Sequence, residues 1–240
     1  MIMSEPRIWI EAHRGDSANA PENTLAAFRR AVKLGVRSTE LDVHPTLHGT
    51  LVVLHDDTVD RTTNGSGPVS DMTVEELQRL DAGSWFGRRF RGERIPILEE
   101  ALEWSRGRCG LNLELKEADR SAEAIHGMAR RVLAHAALDR VLFSSFRPSD
   151  LLRIRSVLPR ARLAWLVSRT SRGLQPLARR AGLFALHPKD PLVTPRLVGR
   201  CHRMGLAVHV WVVNRPDRIA RLEALGVQGV MTDDPRIFSL

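Results

Sequence analysis

Along most of the chain, short apolar runs of strand length alternate with longer stretches in which apolar residues return every three or four positions. Nine segments carry the strand pattern, at 7–12, 37–43, 51–54, 111–116, 141–144, 162–167, 183–186, 207–212 and 228–231. Helical spacing fills 99–106, 121–135, 148–157, 174–180, 195–204 and 216–225, and a further helix is expected after Asn23, its cap, with Leu25, Phe28 and Val32 on one face and Gly35 at its end. This alternation is the pattern of βα units around a parallel sheet. One strand does not fit it. Only seven residues, among them Pro45 and Gly49, separate Val43 from Leu51, and a parallel crossover needs roughly a dozen. The segment 51–54 is therefore expected as the return arm of a hairpin, which leaves eight parallel strands and a (β/α)8 TIM barrel.

The rhythm breaks once, between residues 56 and 97. Here the chain carries Asn64-Gly65-Ser66-Gly67-Pro68, a helix start at Thr73 with Glu76 three residues on, and the run Asp81-Ala82-Gly83-Ser84-Trp85-Phe86. A long excursion from a compact barrel serves as a lid or substrate loop. Residues 1–240 thus read as one catalytic barrel domain with the insertion 56–97 over its active-site rim.

Composition narrows the classes. With 240 residues, 43% of them hydrophobic, the chain can bury a substantial core. Two cysteines, Cys109 and Cys201, are too few for a disulfide framework or a cysteine metal site. The longest apolar stretches, 163–167 and 207–213, are far short of a membrane span, and the first residues lack the pattern of a signal peptide. A cytoplasmic protein without stable membrane insertion is expected. The net charge of +8 is scattered along the chain, and aromatic residues are 5% of the total with no Tyr. Both features argue against a nucleic-acid partner and for charge as a solubilising surface.

Strand parity locates the chemistry. In Leu111-Asn112-Leu113-Glu114-Leu115-Lys116 the leucines face the helices, and Asn112, Glu114 and Lys116 face the barrel interior. In Thr39-Glu40-Leu41-Asp42-Val43 the inward residues are Glu40 and Asp42. Strands covered on both faces normally read as unbroken apolar runs, so acids here demand an ion pair or a metal. Three carboxylates converging on one rim make an oxygen-rich cage suited to Mg2+ or Ca2+. His13 ends the first strand and His55 the hairpin arm, where two imidazoles can serve as acid and base. Arg14 adds a fork of donors that matches a phosphate. Glu11 shares the parity of His13, and its inward carboxylate is expected to require a cation partner.

His13-Arg14-Gly15, Pro21-Glu22-Asn23-Thr24, Glu40-Leu41-Asp42, Val52-Val53-Leu54-His55-Asp56, Arg61-Thr62-Thr63, Leu80-Asp81-Ala82-Gly83-Ser84-Trp85-Phe86, Ile95-Pro96, Glu114-Leu115-Lys116, Trp211-Val212-Val213-Asn214 and Thr232-Asp233-Asp234-Pro235 resemble, in order and over essentially the whole chain, the signature segments of the glycerophosphodiester phosphodiesterase family. The resemblance implies a TIM barrel, one divalent cation, and hydrolysis of small glycerophosphodiesters to glycerol 3-phosphate and an alcohol. It makes Glu40, Asp42 and Glu114 the metal ligands, His13 and His55 the general acid–base pair, and Arg14 and Lys116 the phosphate-binding cations. Trp85, Phe86 and Trp211 are then candidates for a wall around the substrate. The hairpin turn departs from the family, with His48 where an Asp usually precedes Gly49; this touches the turn rather than the chemistry.

Two other readings compete. A lysophospholipase D-like phosphodiesterase would need a long apolar groove from the insertion, for which Trp85, Phe86 and Phe90 are a modest set. A non-catalytic barrel used as a binding module would have lost catalytic residues, and all seven are present.

Overall fold

The computed structural model describes residues 8–116 and 122–238. The expected starts of the first strand at Arg7 and of a helix at Ser121 lie outside them. Nine strands are formed among the described residues: β1 (Trp9–Ala12), β2 (Ser38–Pro45), β3 (Leu51–Val53), β4 (Gly110–Leu115), β5 (Val141–Ser145), β6 (Arg162–Val167), β7 (Ala185–Pro188), β8 (Ala207–Val210) and β9 (Gly229–Thr232). The helices are α1 (Leu25–Lys33), α2 (Val74–Arg79), α3 (Leu98–Ser105), α4 (Ala122–Ala134), α5 (Pro148–Val157), α6 (Leu174–Ala181), α7 (Pro195–Arg203) and α8 (Pro216–Ala224). The parallel strands run β1-β9-β8-β7-β6-β5-β4-β2, and β1 also pairs with β2, so the sheet closes into an eight-stranded parallel barrel. β3 lies outside this ring, antiparallel to β2 with Val43 opposite Val53 and Pro45 opposite Leu51. This pairing carries β2 two residues beyond its expected end, to Pro45, with the turn closed by Gly49 at φ +75°.

The core lies between barrel and helices. Leu41, Leu111, Leu113, Phe143 and Leu163 point outward from the strands and pack with Phe28, Leu102, Leu151 and Ile154 of the helices, all buried. Alternation along the strands therefore sends the intervening side chains inward, so the polar residues of β2 and β4 meet at the axis. Helix α1 corrects one expectation: its cap is Thr24, whose hydroxyl accepts from the Ala27 N–H. Asn23 adopts φ +57° and turns its amide into the barrel instead.

The insertion packs on the β3 arm in a small separate core, Val59, Val69, Leu77, Ala82 and Ile95 against Val52 and Leu54. Helix α2 starts with the expected capping box of Thr73 and Glu76. The following loop winds around Asp81, whose carboxylate accepts from the N–H groups of Gly83, Ser84 and Gly92 and from the Ser84 hydroxyl. Gly83 must be Gly, since a Cβ there would sit 1.9 Å from the Phe90 carbonyl oxygen. No helix among the described residues is long and apolar enough to cross a membrane.

Candidate active site

The in-register pairing of β2 and β4 sets Glu40 beside Asn112 and Asp42 beside Glu114. One carboxylate oxygen from each of Glu40, Asp42 and Glu114 lies within 4.8 Å of the others. Two cations face this cluster. Lys116 Nζ lies 2.9 Å from Glu114 Oε1 and 3.5 Å from Asp42 Oδ1, and Arg14 Nε lies 3.3 Å from Asp42 Oδ2. The Arg14 N–H donates to Glu40 Oε2 at 2.9 Å. That contact depends on the turn after β1, where Arg14 and Gly15 take φ +56° and +85°.

Electrostatics separates the three acids. Burial, then Asp42 and Glu114, pushes the Glu40 carboxyl well above the usual range. Burial and Asp42 also raise Glu114, although Lys116 opposes them. Burial works against ionisation of Asp42 as well, but Lys116, Arg14 and His55 together outweigh it and hold Asp42 below the usual range. Glu40 Oε1 and Asp42 Oδ1 are buried and accept no hydrogen bond. Clustered oxygens, two of whose carboxyls are raised by burial and by their acidic neighbours, with acceptors left unfilled, form a donor set that fits a hard divalent cation.

Each histidine is backed by a carboxylate. His13 Nδ1 lies 2.7 Å from Asp233 Oδ1, and Asp233 also accepts from Asn214 at 2.7 Å and Ser17 at 3.3 Å. His55 Nδ1 lies 2.6 Å from Asp56 Oδ1. Arg61 grips Asp56 and, through two bonds of 2.8 Å, Glu22, which in turn accepts from Arg14 at 2.9 Å. These bonds from Arg61 hold Asp56 below the usual range. Burial, helped by Arg14 and Lys116, lowers the pKa of His55 against the opposing pull of Asp42 and Asp56. With Nδ1 committed to a carboxylate, each ring has only Nε2 for the cavity.

That cavity, about 80 Å³, is lined on its polar side by His13, Arg14, Glu40, His55, Glu114 and Lys116. All seven residues singled out for chemistry therefore meet, with Asp42 buried beneath the cations. Its apolar side is formed by Phe146, Leu166, Trp211 and Met231. Trp211, expected at the wall, is there, stacked edge-on against Phe146 with its indole N–H on the His187 carbonyl. Trp85 and Phe86 are not lining residues. They form an edge-to-face ladder with Phe90, and the insertion meets the rim elsewhere, through Arg89 on the Asn19 carbonyl and through Arg61. Glu11 does face inward, but its partners are neutral, the Ser38 hydroxyl and the Asn112 amide, each at 2.8 Å; burial raises its pKa, and the cation expected there is not required.

Residues with no role assigned from parity complete the site: Asn23, which donates to Asp42 Oδ2 at 2.8 Å, and Glu22, Asp56, Arg61, Asn214 and Asp233. All fall inside the recognisable sequence segments, which was the available signal.

Carboxylate-backed imidazoles and paired cations around an acid cluster, at the C-terminal ends of barrel strands, define a TIM-barrel hydrolase of phosphoric diesters. Comparison with known proteins specifies the family. The model of the glycerophosphoryl diester phosphodiesterase family matches residues 13–237. A glycerophosphodiester phosphodiesterase of Caldanaerobacter subterraneus subsp. tengcongensis is 41% identical over 228 residues, 94% of each chain. One from Bacillus altitudinis is 36% identical over 231 residues, again 94% of each. Among solved structures, an Oleispira antarctica phosphodiesterase in complex with the product sn-glycerol-3-phosphate superposes with a TM-score of 0.92 at 32% identity, covering 96% of this chain and 95% of that one. The Agrobacterium tumefaciens glycerophosphodiester phosphodiesterase gives 0.86 at 30% identity, covering 97% and 99%. The chain belongs to the glycerophosphodiester phosphodiesterase family and is an enzyme of that class.

Proposed function

We propose that the enzyme hydrolyses small glycerophosphodiesters to glycerol 3-phosphate and an alcohol, with one divalent cation, Mg2+ or Ca2+, held by Glu40, Asp42 and Glu114. The observation that carries the reading is the pair of imidazoles, each tied at Nδ1 to a carboxylate and flanking the cluster. When bound, the cation neutralises charge on the phosphate oxygens. The side chains do the rest. Arg14 and Lys116 orient the phosphate and offset the charge that grows on it. His55, kept neutral by burial, accepts at Nε2 the proton of the attacking hydroxyl, from water or the substrate's own glycerol 2-hydroxyl. His13 protonates the departing alkoxide oxygen as the P–O bond breaks, its ring oriented by Asp233 at Nδ1. The small apolar wall of Phe146 and Trp211 favours soluble substrates over acylated ones.

The test is a comparison of leaving groups. His13→Ala and His55→Ala should each lose about 10²–10⁴-fold in kcat on a glycerophosphodiester of a simple alcohol. With a nitrophenolate leaving group, which needs no protonation, activity should return in His13→Ala only. Equal losses in both variants on both substrates would remove the acid–base assignment.

A further inference from the structure

Beside the catalytic cavity lies a larger one, of about 630 Å³, lined by Arg169, Arg196 and Arg200 with Thr170, Ser171 and Gln175. Among the described residues no acid lines it, and none of the three guanidinium groups pairs with a carboxylate. Some arginines elsewhere do, among them Arg30 with Asp16, Arg131 with Glu99, Arg218 with Asp190 and Arg236 with Asp234; what sets these three apart is that they share one hollow with no acid in its lining. Arg196 and Arg200 are one turn apart on α7, so both project from the same face of that helix. The N-terminus of α7, capped by Thr194, opens into the same space. Three like charges around one open hollow, Arg169 and Arg196 exposed and Arg200 half-buried, repel one another, an arrangement that an anion relieves.

The position is informative. Val167, the last residue of β6, lines this cavity, and Leu166, the residue before it, lines the catalytic one. The two hollows thus stand on either side of the end of β6, both at the C-terminal ends of the strands. Leu166 belongs to the apolar side of the catalytic cavity, with Phe146 and Trp211.

We propose that this cavity binds a phosphate group carried on the alcohol portion of the substrate, so that the enzyme favours glycerophosphodiesters whose leaving alcohol is itself phosphorylated; this rests on the reaction proposed above. The chemistry is that of a phosphate monoester or diester, recognised by forked guanidinium donors and the hydroxyls of Thr170 and Ser171. The phosphate can belong to the substrate or to a free small molecule, and two measurements separate these sources.

In the first, inorganic phosphate is titrated into the full-length protein at constant ionic strength, with glycerol 3-phosphate saturating the catalytic cavity, and backbone amide shifts are followed. Residues 168–171 and 194–200 should shift in the wild type and not in Arg196→Gln/Arg200→Gln. Absence of a saturable shift in the wild type overturns the site. In the second, kcat/KM is measured for glycerophosphoglycerol and for the same diester with a phosphate on the leaving glycerol. Losing two charge-assisted contacts should lower kcat/KM for the phosphorylated substrate by at least about tenfold in the double variant and leave the unphosphorylated one unchanged. Equal loss on both means the rim was distorted and overturns the assignment. Saturable phosphate binding with no substrate-dependent loss assigns the cavity to a free phosphate and overturns the substrate reading. A wild type that hydrolyses neither diester refutes the proposed function instead, while the titration still reports on the cavity.

Discussion

Replacing Glu40 by Gln should make the cation-free protein more stable while removing its activity. The three carboxylate oxygens of the cluster lie within 4.8 Å of one another. At that distance two unit charges repel by about 3.5 kcal/mol at an effective dielectric constant of about 20. Glu40 faces two such neighbours. Arg14 and Lys116 offset much of this, and protonation of Glu40, whose pKa is already raised, limits what remains. Gln keeps the side-chain oxygen that accepts from the Arg14 N–H. A net relief of about 1–2 kcal/mol is expected, which for a chain of this size raises Tm by roughly 2–8 °C. Thermal unfolding followed by circular dichroism in a chelating buffer measures it directly. Adding Mg2+ or Ca2+ at about a hundred times its Kd should then raise the wild-type Tm by roughly 5–10 °C, from about 2.7 kcal/mol of linked binding, and should move the variant far less. A variant that melts below the wild type in chelator, or gains as much from the cation, would show that these carboxylates are not a strained cluster awaiting a metal.

Three further outcomes are expected. Asp233→Asn leaves the His13 ring in place but unfixes its tautomer, so kcat should fall about 100-fold or more with KM little changed, in steady-state assays. Gly15→Ala puts a Cβ at φ +85° and 2.6 Å from the Ala27 Cβ, so it should cost at least about 2 kcal/mol in urea unfolding and displace Arg14 with a loss of activity. Below the active site, His187 and His209 stack at 5.2 Å. Burial pulls His209 down to about 4, and His187 is also lowered. The unfolded chain therefore takes up these protons first, and stability present above pH 6.5 should be lost as the pH falls toward 4, by about 3 kcal/mol for His209 alone. His209→Leu should flatten that slope in chemical unfolding measured across the range.

Strand parity was enough to place Glu40, Asp42, Glu114 and Lys116 together, because closure of a parallel barrel turns a two-residue alternation into an inward-facing ring. The hairpin followed from a chain-length limit, seven residues being too few for a crossover. What parity cannot carry is pairing across closure. Asp233 reaches His13 from 220 positions away because β9 lies beside β1, and Glu11 finds Ser38 because those residues are register partners of β1 and β2. The ring of Glu22, Arg61 and Asp56 joins two loops whose approach no local pattern encodes. The aromatic wall was divided similarly: Trp211, at a strand end, lines the cavity, while Trp85 and Phe86 stack with Phe90 on the insertion, Trp85 exposed, rather than at the barrel rim.

The alignment of β2 with β4 also makes catalysis a register sensor. A one-residue slip of β4 would turn Leu111, Leu113 and Leu115 inward and send Asn112, Glu114 and Lys116 into the helix layer, leaving a barrel of similar shape and helix content with no carboxylate opposite Asp42. Spectroscopic signals of compaction are nearly blind to such an error. Recovered turnover is not, so during refolding the yield of activity counts only those molecules in which these two strands, brought together from sequence positions about seventy residues apart, have met in their correct phase.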